Sequence, residues 1–219
     1  MTLPLLSSLI YFLLLAGTLT ANVIYAATKV FTLVWPFIVV VGIERVRPRV
    51  KGMDWPKHFR AVPLGFLLGA IILIAMVALV EWTAMGTYVR SHGQDILQKV
   101  QDFRIATRMR YLLFGGFICG AHSLLEEYYW RWFVYGKLSR ICRPGWAMFW
   151  ASLAFVSHHY VVLWKFFDWK GCLFFGTAVG VGGALWCWLY RRQDSLFGAW
   201  ICHLLVDVAI FYIGYRLVF

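Results

Sequence analysis

Charge is what this sequence has least of. Only 14% of its 219 residues are Asp, Glu, Lys or Arg, while 62% are hydrophobic. A soluble domain of similar length carries about 25% charged and 45–50% apolar residues. Such an apolar surplus cannot be hidden in one small water-soluble core. That excludes an ordinary cytosolic enzyme, a disordered chain and a disulfide scaffold. Acidic residues are scarcer still, 10 against 21 basic, for a formal net charge of +11. Most of the basic residues fall between apolar runs, where they meet anionic lipid headgroups and set orientation, so no nucleic-acid partner is implied. There is no CxxC, and the five cysteines (Cys119, Cys142, Cys172, Cys187, Cys202) cannot all pair. Four of them lie in or beside apolar runs, where free cysteine packs as a small hydrophobe. The HExxH zinc motif is absent. Met1–Leu6 carries no Lys or Arg, so the first apolar run is read as a retained helix and not a secretory signal. Internal repeats, linkers and low-complexity tracts are also lacking.

What is present is a series of runs approaching the roughly 20 apolar residues that span a bilayer. They cover about Leu3–Ala27, Val30–Ile43 (short, with Pro36), Ala61–Trp82, Tyr111–Tyr135, Trp146–Phe167, Cys172–Tyr190 and Leu196–Phe219. The expectation is an all-α, polytopic membrane bundle of about seven transmembrane helices, six to eight counting the doubtful second run. Residues 1–219 form a single membrane domain on this reading, with 1–110 as scaffold and 111–219 as the helical core. Between Thr83 and Arg110, polar Asp95, Gln98, Lys99, Gln101, Asp102 and Arg104 alternate with Ile96, Leu97, Val100, Phe103 and Ile105. That pattern suits an amphipathic helix at the interface. Gly116–Gly120 and Gly176–Gly180 have the GxxxG spacing that lets helices approach closely. The basic segments Glu44–Arg60, Lys137–Arg143 and Arg191–Arg192 fall on one side when seven spans are counted. The positive-inside rule makes that side cytoplasmic, with the N-terminus.

The last four runs contain groups that apolar runs normally exclude: His122, Glu126, Glu127, Arg131, His158, His159, His203 and Asp207. A charge at the bilayer centre costs about 2.5–3.5 kcal/mol on insertion scales, so such groups face protein or a wet cavity. The first three runs are nearly free of charge. Glu127 and Arg131 are four apart with the carboxylate first, the favourable order for an intrahelical ion pair. Glu126 lies about 100° around the helix and is not neutralised by that geometry. Phe155 and His159 share a face, as do His203 and Asp207. His122 and His158 are read as hydrogen-bonded packing residues. A free carboxylate and two imidazoles from three helices suit water activation, with Glu as base and His orienting the water or holding an oxyanion. Spacing alone leaves an enzyme and a proton-coupled transporter level.

Three ordered motifs separate them. Glu126-Glu127-Tyr128-Tyr129-Trp130-Arg131 reads EExxxR, Phe155–His159 reads FxxxH, and His203–Asp207 reads HxxxD, approached by Ser195–Trp200. From Tyr111 onward the chain resembles the CPBP intramembrane proteases, named for CAAX protease and bacteriocin processing. The resemblance implies peptide hydrolysis at the membrane, with Glu126 and His159 activating water and His203 and Asp207 facing the scissile carbonyl. Glu127, Arg131 and Phe155 would support them. Family members have been described as metalloproteases and as metal-independent glutamate proteases. The expectation is therefore a site without a cofactor. Its alternative is a divalent metal such as zinc on Glu126, His159, His203 and Asp207. The implied partners are a peptide or protein substrate and the lipid bilayer, and the implied location is a bacterial or archaeal cytoplasmic membrane. Two positions depart from the family pattern. Asp207 stands where Asn is common, and Trp130-Arg131-Trp132 replaces Phe-Arg-Gly. An ionised Asp207 would fix the His203 tautomer, which is the preferred role, while a protonated one would donate as Asn does. The rival outside enzymology is a proton-coupled transporter, or a non-catalytic chaperone or immunity factor.

Overall fold

In lipid a backbone must satisfy its own hydrogen bonds, which leaves helices and closed barrels. The computed structural model describes residues 2–11, 19–45 and 54–219, and among these residues there are helices and no strands. In order they are α1 (Thr2–Leu9), α2 (Leu19–Phe37, continuing as a π-helix over Ile38–Ile43), α3 (Trp55–Trp82), α4 (Ala84–Ser91) and α5 (Gly93–Asp102). After these come α6 (108–138), α7 (Pro144–Leu163), α8 (Trp169–Gln193) and α9 (Leu196–Val218). Among the described residues, five stretches are long and apolar enough to cross a membrane: Ala26–Ile43 and all of α3, α7, α8 and α9. α6 runs among them with its charged pair inward. Side chains such as Leu67, Ile71, Ile74, Val181 and Ile210 are exposed on the outer surface, as lipid-facing residues must be. The protein is a helical membrane bundle.

Local chemistry fixes the helix ends. Asp54 caps α3 through Lys57 N–H, with Pro in the first turn. Ser195 caps α9 by accepting from Phe197 N–H at 3.2 Å, and its hydroxyl also meets His58 Nδ1 at 2.8 Å. Asp168 caps α8, accepting from Gly171 N–H at 2.9 Å and from the Tyr88 hydroxyl at 2.6 Å. Each carboxylate or hydroxyl satisfies a backbone donor that the first turn leaves without a helical partner. The ends of α2, α6 and α8 and the starts of α3, α7 and α9 share one face. There Lys137 pairs with Glu44, Lys57 pairs with Asp194, and Gln193 Nε2 donates to the Ala61 carbonyl at 2.9 Å. The described parts of all three basic segments therefore meet on that face. α4 and α5 lie at the opposite one, where an amphipathic segment was expected, as two short helices with Val89 and Val100 turned inward.

Two expectations about the scaffold change. The break between the first two runs does not fall at Thr28–Lys29, because α2 continues unbroken from Leu19 through Ile43. The hydroxyls of Thr28 and Thr32 donate back to the carbonyls of Ile24 (2.9 Å) and Lys29 (2.8 Å), so these polar residues sit inside the helix without breaking it. The described part of the first run is α1 with residues 10–11 and the start of α2, and 12–18 of that run lies outside the described residues. The first GxxxG pair does not bring helices together through its missing Cβ atoms: nothing lies within 4 Å of a Cβ built on Gly116 or Gly120, although the Gly120 carbonyl accepts from Trp200 Nε1 of α9 at 3.0 Å. Close approach falls instead on Gly65 and Gly69 of α3. A Cβ on Gly65 would strike the Gly198 carbonyl of α9, and one on Gly69 would lie 2.9 Å from Cys202 Cα. Small residues let these two backbones touch where apolar bulk gives no net gain over lipid. Gly180 behaves as expected, with Val156 of α7 at 3.7 Å.

Candidate active site

α6 carries both glutamates, and it is not a uniform helix. α-Helical Arg108–Phe117 gives way to π-helical Ile118–His122, α-helical Ser123–Glu127 and π-helical Tyr128–Tyr135, with Gly136–Leu138 closing it. π-Bulges are rare and collect at functional sites because they turn side chains off the regular helical stripe. Here they flank Glu126 and Glu127 on both sides.

Glu127 points into the sealed interior. It is 0% exposed and Arg131 1%. Glu127 Oε1 lies 2.9 Å from Arg131 Nη1 and accepts from His203 Nδ1 at 2.7 Å, tying α6 to α9. The Arg131 guanidinium stacks over Phe155 (4.5 Å) and Trp186 (4.8 Å), and the Trp186 ring lies on the His203 imidazole at 3.9 Å. Each of these charges is buried only because the others are there.

Glu126 points the other way. Its Oε1 is 3.3 Å from His122 Nε2 and 3.8 Å from His158 Nε2, and its Oε2 is 3.9 Å from His203 Nε2. Beside it lies a cavity of about 280 Å³ lined by Glu126, His122, His158, His159, Trp130 and Phe211 among others. His159 Nδ1 faces the Phe155 carbonyl at 3.0 Å, one turn back. That contact fixes Nδ1 as the donor and leaves Nε2 as the basic nitrogen. The Phe155 ring packs against His159 at 4.5 Å and holds its plane.

The structure thus brings together Glu126, His159 and His203 as the spacing suggests, with Glu127, Arg131 and Phe155 around them. Three placements differ. His158, read from sequence as a packing residue, reaches both Glu126 and the cavity, and its ring sits 4.1 Å from that of His159. His122, read the same way, is the imidazole nearest Glu126; its spacing four residues before that glutamate was the available signal. Asp207 Oδ2 is 3.7 Å from His203 Nε2, too far for a hydrogen bond. Glu127, and not Asp207, therefore holds the His203 tautomer. The reason is order of approach: Glu127 reaches Nδ1 across the α6–α9 contact and leaves Asp207 the other nitrogen. The ligand atoms that could share a metal are those of Glu126, His158 and His159, all within 4.8 Å of one another. The expected set with His203 and Asp207 is not the one grouped there.

This arrangement falls within the stretch that resembles known proteins. Residues 108–209 match the family described as Rce1-like, type II CAAX prenyl endopeptidase. Over that stretch the chain resembles the CPBP family. No significant match is found among curated proteins or solved structures. The Rce1-like region takes in α6, α7, α8 and the part of α9 that bears His203 and Asp207. At family level this is a membrane protease of the CAAX type, acting on protein or peptide at the bilayer.

Proposed function

We propose that this protein is an intramembrane endopeptidase that hydrolyses a peptide bond with water activated by Glu126 and His159. The observation that supports it most is the setting of Glu126, whose two carboxylate oxygens face imidazoles from α6, α7 and α9 at the wall of a cavity. In the reaction, water oxygen bonds to the scissile carbonyl carbon and its proton passes to Glu126. The tetrahedral intermediate then breaks its C–N bond, and Glu126 returns the proton to the leaving amine. The products are a carboxylic acid and an amine, and the Glu126 carboxylate ends as it began. His159 orients the water through Nε2. With Nδ1–H held by Glu127, His203 offers an oxyanion an N–H from Nε2 only in its imidazolium form.

Glu126→Gln keeps the side-chain volume and removes the base. Cleavage of a membrane-anchored peptide by the purified variant should fall about 10²–10⁴-fold, with folded yield unchanged. Turnover at the wild-type rate would overturn the reading.

A metal reading is favoured by one observation, the grouping of Glu126, His158 and His159. Two imidazoles and a carboxylate match the three protein ligands of a catalytic zinc site. Those residues would hold the ion, which would supply Lewis-acid polarisation of the carbonyl. Elemental analysis separates the two readings. The glutamate mechanism predicts activity without stoichiometric metal and insensitive to chelators. One metal per chain, lost together with activity in His158→Ala, would establish the other.

A further inference from the structure

A second cavity, of about 890 Å³, opens on the basic face where α2, α6 and α8 end, and neither Glu126 nor its imidazoles line it. Its size falls within the roughly 300–1,000 Å³ of small-molecule sites. One wall is apolar, with Phe37 and Val41 from α2 and Trp132 and Phe133 from α6. The Trp132 ring is partly exposed and stacks on Tyr128 at 5.1 Å. An indole near a helix end stands at the depth of lipid headgroups, which interfacial aromatics prefer. The other wall is charged. Lys137 and Arg140 share the carboxylate of Glu44, with Arg140 Nη1 at 3.8 Å, while Arg191 is in no ion pair among the described residues. Asp194, the second acid on this wall, is taken by Lys57. With Asp194 neutralised, three cations against Glu44 leave the rim at +2. By sequence, Arg45, Arg47, Arg49 and Lys51 follow Glu44 before the next acid, Asp54. A basic rim beside an apolar wall matches a molecule that is anionic at one end and hydrocarbon at the other.

We propose that this crevice binds one anionic glycerophospholipid, its phosphate held by Arg140 and Arg191 and its acyl chains laid against Phe37, Trp132 and Phe133. Both arginines line the crevice beside Tyr135 and Tyr190, whose rings meet edge to face at 6.2 Å. Arginine suits the task, because its planar fork makes paired hydrogen bonds to phosphate and is weakly hydrated. Lys137, tied to Glu44, adds positive potential and is not the primary contact. The net charge disfavours a zwitterionic lipid, whose own cationic group would meet the same rim. The site stands independently of the peptidase reading. It does touch the helix of the paired glutamates, since Trp132 and Phe133 belong to the π-helical stretch that carries Arg131.

Native mass spectrometry of the purified full chain counts the lipids each molecule retains. The probes are dioleoyl phosphatidylglycerol and dioleoyl phosphatidylcholine, added in equal amounts. Wild type should retain one phosphatidylglycerol, about tenfold more tightly than phosphatidylcholine, as for one charge-assisted contact. The double variant Arg140→Gln, Arg191→Gln should bring the two affinities within about twofold of each other. Both side chains are exposed, so folding is not at risk. Glu44→Gln removes the competing carboxylate and should tighten phosphatidylglycerol binding, a gain that a structural role would not give. Trp132→Ala should weaken both lipids alike and keep their ratio. Lys170→Gln, at the start of α8 on the opposite face, should change neither. Equal retention of the two lipids, or a preference undiminished in the double variant, would overturn the site. So would a dimer that excludes lipid, since a second copy of this chain would then fill the crevice.

Discussion

Two sides of one helix meet two different interiors. On the Glu127 side of α6, carboxylate, guanidinium, imidazole and indole stack without a gap, and Glu127 and Arg131 are sealed from solvent. On the Glu126 side the carboxylate faces imidazoles at 3.3–3.9 Å across space large enough for water and part of a peptide. The difference teaches how one sequence position separates structure from chemistry. A buried charge with short, complementary contacts is tied up in holding the fold. One held at longer distance beside a cavity keeps its lone pairs for a substrate.

The sealed side should break hardest. Arg131→Ala leaves Glu127 and His203 buried without their cation, at a cost of about 3–5 kcal/mol. Thermal unfolding in detergent and the yield of folded protein should both drop. A variant that unfolds like wild type would mean that the sealed side does not hold the fold. Next comes the contact that carries His203 to Glu127. Gly65→Ala drives a methyl group into the Gly198 carbonyl where α3 and α9 touch, an overpacking worth about 1–3 kcal/mol. Gly116→Ala, facing open space, serves as the control with little change.

Asp207 sharpens the comparison further. It does not hold His203 by a hydrogen bond, so Asp207→Asn should leave the cleavage rate within about threefold of wild type, roughly 0.65 kcal/mol. A loss of a hundredfold would show that Asp207 closes on His203 during the reaction. The smallest effect lies far from the site. Tyr88→Phe removes the hydroxyl that donates to Asp168 at the start of α8 and should lower Tm by only about 2 °C. Gly171 N–H, with the Tyr88 hydroxyl next, holds the Asp168 carboxyl below the usual aspartate pKa. The stability it adds is therefore fully present above the usual aspartate pKa and lost as pH falls through the depressed one. Tyr88, pushed up to about 12 mainly by burial, keeps its proton and its contribution up to pH 10. That contribution is lost as pH rises through about 12.

Much of this was legible in the sequence because membranes simplify it. Length and apolarity alone mark α3, α7, α8 and α9, and the i, i+4 rule places Arg131 on Glu127. What stayed hidden depends on three dimensions. Helical period cannot show that π-turns on either side of Glu126 re-aim α6, so His122 and His158 read as bystanders. A GxxxG pair says that helices can touch but not which ones do, and Gly65–Gly69 takes the role assigned to Gly116–Gly120. Lys29 looked like a boundary because nothing in the sequence shows that Thr28 and Thr32 bond their hydroxyls back into α2. His203 has three carboxylates around it, Glu126, Glu127 and Asp207, and only the α6–α9 contact decides that Glu127 takes Nδ1.

The most direct test sets Glu126→Gln beside Glu127→Gln, each measured for cleavage of a membrane-anchored peptide and for thermal unfolding. The account predicts that Glu126→Gln loses cleavage and keeps its Tm. Glu127→Gln should lose stability, and its loss of activity per folded molecule, through the freed His203, should be smaller than that of Glu126→Gln. Cleavage that survives Glu126→Gln, or a Glu127→Gln protein that folds normally and is inactive, would contradict it.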